Sequence, residues 1–64
     1  MKETSKFAEY EKEIAKFIEY QNAVSYANRQ NKLHMIVLGD DCRYWVAVPR
    51  VTEWLVRNGY EYAL

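Results

Sequence analysis

The stretch LHMIVLGDDCRYWVAV, Leu33 to Val48, decides the fold. Leu33–Leu38 and Arg43–Val48 are apolar runs with β-branched or aromatic centres, which reads as two strands. Gly39-Asp40-Asp41-Cys42 between them is turn chemistry, because Gly and Asp tolerate the backbone that a reversal needs. The pair therefore predicts an antiparallel hairpin. A two- or four-residue turn puts Leu33, Met35, Val37, Tyr44, Val46 and Val48 on one face. His34, Ile36, Leu38, Arg43, Trp45 and Ala47 then share the other. A three-residue loop exchanges the second strand's set. Either way both faces carry large apolar side chains.

Downstream, Pro49 opens a helix at its first position, where a missing N–H costs nothing. Val51, Trp54 and Leu55 form its buried stripe. Asn58-Gly59 ends it, with Gly59 in the left-handed region and Tyr60 folding back on Leu55. YEYAL, from Tyr60, reads as a last strand that the crossover returns beside the first strand of the hairpin.

Upstream, Phe7, Tyr10, Ile14, Phe17, Gln21, Val24 and Asn28 recur at steps of three and four. That is a helical stripe, broadened by Ile18, and it predicts one long helix from Ser5 to Gln30. Thr4 or Ser5 can cap its start. Glu13–Lys16–Glu19 at i,i+3 spacing decorates its polar face. The expected architecture is α+β in the order αββαβ, with a small three-stranded antiparallel sheet and a single domain over residues 1–64.

Sixty-four residues support only a small core, and chains of this size usually add a disulfide, a metal or a partner. One cysteine excludes an internal disulfide, and one cysteine plus one histidine cannot supply four zinc ligands. Oligomerisation remains. The long helix points the same way, since about 26 residues span roughly 39 Å against roughly 20 Å for a six-residue strand. An overhanging helix and an apolar second sheet face predict a homodimer, with Phe17, Tyr20 and Val24 at its interface. The alternative is a helix that bends near Gln21-Asn22 and folds into a monomer.

Nine acidic and nine basic side chains cancel, so the basic excess expected of a phosphate-dependent nucleic-acid binder is missing. The N-terminal stretch is charged and lacks an apolar signal-peptide core, which reads as a cytoplasmic protein, or one acting in a host cytoplasm if virus-encoded. GDDCRYW, Gly39 to Trp45, looks the most chemical, with His34 just upstream. Yet His34 and Asp40 lie roughly 20 Å apart along an extended strand. Metal binding and Cys–His catalysis both need contact distances, so no metal, cofactor or catalytic residue is expected.

In size, neutrality and lack of a recognisable active site, the chain resembles short accessory proteins of phages and mobile elements. These include anti-defence inhibitors such as anti-CRISPR proteins. The expected function is non-enzymatic: a homodimer that binds and modulates a larger protein. Its expected partner surface is Trp45, Arg43, Tyr44, Ile36 and Leu38, with Asp40 and Asp41 as an acidic lure. The alternative is a small nucleic-acid-binding regulator using Arg43, Arg50 and Arg57.

Overall fold

The computed structural model describes residues 2–63, with side chains from Lys6 onward. Seven elements follow one another: α1 (Lys2–Glu11), β1 (Ala15–Phe17), α2 (Tyr20–Asn28), β2 (Met35–Leu38), β3 (Tyr44–Ala47), α3 (Pro49–Arg57) and β4 (Glu61–Tyr62). The strands make one antiparallel sheet in the order β1-β3-β2-β4. The class is α+β, as the sequence implies. The hairpin, the Pro49 helix and the closing strand beside β2 all stand where local signals put them. Gly59, at φ +107°, carries the turn out of α3, and the Tyr60 amide donates back to the Leu55 carbonyl at 3.1 Å.

The segment from Ser5 to Gln30 is not one helix, and this corrects the expected order. The Glu13 amide bonds the Tyr10 carbonyl at 2.8 Å and the Ile14 amide bonds the Glu11 carbonyl at 3.2 Å, which closes α1 in a tight turn. Ala15–Phe17 then runs as β1, so the sheet has four strands and the order is αβαββαβ. The reason lies in β3. Trp45, Val46 and Ala47 are at most 2% exposed, and buried backbone amides and carbonyls need partners on both edges. β2 serves one edge, and only an extended segment can serve the other. β1 does so, pairing Ala15, Lys16 and Phe17 with Val46, Trp45 and Tyr44. The helical charge pattern dissolves with the helix: Lys16 bonds Glu11 and Glu13 bonds Arg50, each at 2.8 Å. α1 already runs from Lys2, so Thr4 and Ser5 lie within it rather than at its start.

The hairpin loop also corrects the expected facing. Five residues, Gly39–Arg43, separate β2 from β3. An odd loop puts Trp45 opposite Val37 and Tyr44 opposite Leu38. The first face, with Val37, Trp45 and Ala47, packs against Tyr10 of α1 and Val51 and Leu55 of α3. The second face carries Val46, Ile36 and Tyr44 and is covered by α2, whose Ala23 is completely buried. The sheet is thus the middle of three layers. The overhang and the bare second face that argued for a twofold partner are both absent. No helix among the described residues is long and apolar enough to cross a membrane.

Ala23 distinguishes this arrangement from a continuous helix, where it falls beside the apolar stripe and tolerates a larger side chain. Ala23→Leu is expected to lower unfolding free energy by about 1–3 kcal/mol through overpacking, read from the urea midpoint. An unchanged midpoint would remove α2 from the sheet.

Candidate interaction surface

The GDDCRYW loop is built around one side chain, Trp45. Its indole Nε1 donates to Asp41 Oδ1 at 3.0 Å, and the same oxygen accepts the Arg43 amide at 3.1 Å. The Gly39 amide closes the loop on the Arg43 carbonyl at 2.8 Å. Gly39 is needed because a Cβ there would overlap the Trp45 indole and come within 2.8 Å of Asp41 Oδ1. Cys42 turns the chain with φ +67°, a left-handed conformation rare outside Gly, Asn and Asp. The Tyr60 ring lies 5.2 Å from Trp45, and its hydroxyl donates to Asp40 Oδ2 at 3.2 Å.

These bonds turn two of the expected partner-binding residues to the service of the fold and engage a third in part. Trp45 is 2% exposed and belongs to the core, so it is no part of the molecular surface. Asp41 anchors its indole. Asp40 is exposed but shares one oxygen with Tyr60, and its other carboxylate oxygen has no hydrogen bond among the described residues. Partial burial, then the charge of Asp40 and the bond to it, with smaller contributions from Asp41 and Glu11, push the Tyr60 phenol above its ordinary 10.0.

The other expected residues divide between one end of the sheet and its interior. Cross-strand partners share a face, so Phe17, Tyr44, Leu38 and Glu61 form a row across all four strands. Leu38 is 43% exposed. Tyr20, at the first turn of α2, is 40% exposed and stacks edge-on to Tyr44 at 5.3 Å. Ile18, in the connection from β1, is 73% exposed. Leu38, Tyr44 and Tyr20 make an apolar ledge. Ile36 sits further along the same face, half-buried opposite Val46. Arg43 is exposed beside Tyr44. Next to Leu38 opens a cleft of about 460 Å³ between the hairpin loop and the α3–β4 turn. Asp40, Asn58, Tyr60 and Glu61 line it, and among the described residues no lysine or arginine does.

Phe17, Tyr20 and Val24, expected together at a homodimer interface, lie on different elements or in different environments. Phe17 belongs to β1 and packs on Tyr26 at 5.3 Å, Val24 is half-buried, and Tyr20 alone joins the ledge. The three arginines of the nucleic-acid reading are also divided. Arg50 is tied to Glu13 at 2.8 Å and lies 5.4 Å from the Tyr10 ring. Arg57 is two helical turns away, roughly 10 Å. His34 donates from Nδ1 to the Lys32 carbonyl at 2.9 Å and stands before β2, at the other end of that strand from Cys42.

Ile18, Tyr60 and Glu61 are the surface residues that sequence reading missed. Ile18 lay inside an apparent helix. Tyr60 and Glu61 reach the hairpin only because β4 pairs with β2. No family model matches the chain, and no match emerges among curated proteins or solved structures.

Gly39→Ala and Asp41→Ala each act on Trp45, by overlap and by loss of its acceptor. Each is expected to cost about 1–3 kcal/mol in urea unfolding followed by tryptophan fluorescence. Their combination should cost less than the sum, because both disturb one side chain.

A raised phenol pKa stabilises the fold below the unfolded value and is lost as pH climbs through the folded one. Thermal stability should therefore fall above pH 10.0, and Tyr60→Phe should flatten that fall. An unaltered alkaline limb in Tyr60→Phe would exclude this contact.

Proposed function

We propose that this chain is a non-enzymatic protein-interaction module that works through the ledge at the loop end of its sheet. The observation carrying it is that the exposed Tyr20 and Leu38 both neighbour Tyr44, while Val37, Trp45, Val46, Ala47, Val51 and Leu55 are closed in the core. Single exposed apolar residues are ordinary, but a contiguous group rimmed by charge marks a contact surface. Tyrosine and arginine, both present here as Tyr20, Tyr44 and Arg43, are favoured interface anchors. Modulation of a larger protein, as in an anti-defence inhibitor, would be one use of such a surface.

A photoreactive phenylalanine analogue at position 38 tests the reading. It is compared with the same analogue at position 33, since Leu33 is 68% exposed but lies beyond the opposite end of β2. In native cells, position 38 should give a discrete cross-linked protein, competed by the unmodified chain and not by Leu38→Asp. The same products at both positions, or none at either, would sink the proposal.

A further inference from the structure

We infer that the ledge and the cleft beside it together receive a segment of a partner protein that carries an arginine next to an apolar side chain, with the guanidinium seated between Asp40 and Glu61. This rests on the interaction-module reading and gives the partner its chemistry. The carrying observation is that cleft and ledge share Leu38. Leu38 lines the cleft, and it is also the direct cross-strand neighbour of Tyr44. A ligand seated in the cleft therefore borders the ledge.

The chemistry of the cleft selects a cation. Asp40 and Glu61 line it, and among the described residues no lysine or arginine does. Neither acid has a salt-bridge partner among the described residues. Both are held in place. Glu61 is fixed along the backbone by pairing with Leu38, and Asp40 accepts the Tyr60 hydroxyl at 3.2 Å. That bond uses one of the roughly four acceptor positions of a carboxylate. After burial, the charges of Asp40, Asp41 and Glu11 help to raise the Tyr60 phenol, so this wall of the molecule carries a negative potential.

Two features favour arginine over lysine. Its planar fork offers several donors to two carboxylates, where an ammonium acts as a point charge. Tyr60, 5.2 Å from Trp45, also lines the cleft and so holds an aromatic ring beside the acids. Guanidinium groups pack on such rings more often than ammonium groups do. The cleft of about 460 Å³ lies within the roughly 300–1,000 Å³ of ligand pockets. Leu38, 43% exposed, then meets the apolar neighbour of the arginine.

NMR titration of the full chain with the peptide leucyl-arginyl-leucine, blocked at both ends, tests the inference. The amides of Asp40, Gly59 and Glu61 should shift together with those of Leu38 and Tyr44, with dissociation in about the millimolar range. Citrulline in place of arginine keeps the shape and loses the charge, and should abolish the shifts at Asp40 and Glu61. Asp40→Asn keeps an acceptor for Tyr60. It and Glu61→Gln should each weaken binding about two- to fivefold. Glu53→Gln makes the same charge change on α3, outside the cleft, and should bind as the wild type does. Leu38→Ala should bring the peptide down to the affinity of blocked arginine alone.

Equal binding of the citrulline peptide overturns the inference, as does silence at the cleft up to about 20 mM peptide. So does blocked arginine that binds the wild type as tightly as the peptide, which leaves the ledge without a role. Shifts of the same amides with protein concentration alone would give the surface to a second copy, and also overturn it. Each of these results leaves the interaction-module reading standing if position 38 still gives its discrete cross-linked protein. Loss of all position-specific cross-linking defeats both.

Discussion

Every layer of this chain is organised by β3, a four-residue strand buried on both faces and paired on both edges. Burial of Trp45, Val46 and Ala47 supplies apolar area in both directions. It also removes water from the backbone of the strand. Each amide and carbonyl must then find a partner within the protein. β1 and β2 exist where they do because they answer that demand. Once β1 is extended, the chain upstream and downstream of it can return as α1 and α2 to opposite faces. A marginal 64-residue chain thereby obtains two packed interfaces from one strand.

The residues that look reactive in GDDCRYW serve this strand. Asp41 accepts the indole N–H of Trp45, Gly39 leaves room for its ring, and Tyr60 stacks beside it. A tryptophan can be buried fully only when its N–H is satisfied. The acids are therefore part of how a large side chain is housed beneath a tight loop. Asp40 differs from its neighbour because it reaches across to Tyr60 at the cleft, joining the loop to the turn after α3.

The surface left over is concentrated at the same end of the sheet. Leu38 and Tyr44 project opposite the face that holds Val37 and Trp45, and α2 begins at Tyr20, covering Tyr44 but not Leu38. The ledge is a consequence of where α2 starts and of the odd length of the hairpin loop. A loop one residue shorter would have set Arg43 opposite Leu38 and turned Tyr44 to the Val37 face. The acidic cleft adjoins it because β4 pairs with β2 at that end.

The sequence by itself determined the features that depend on neighbours along the chain. These are the hairpin, the helix opened by Pro49, its stop at Gly59 and the return strand, all set by turn chemistry and the φ demands of single residues. It placed Leu38, Tyr44 and Arg43 near a surface for the same reason. Only the tertiary structure decided that Ala15–Phe17 is a strand, that Trp45 faces inward and that Glu61 and Tyr60 join the hairpin. Ile14, Phe17 and Ile18 fit a helical spacing, and nothing local contradicts it. The extended state of Ala15–Phe17 is chosen by the unsatisfied edge of β3, roughly thirty residues away, because buried backbone polar groups need partners and local propensity yields to them.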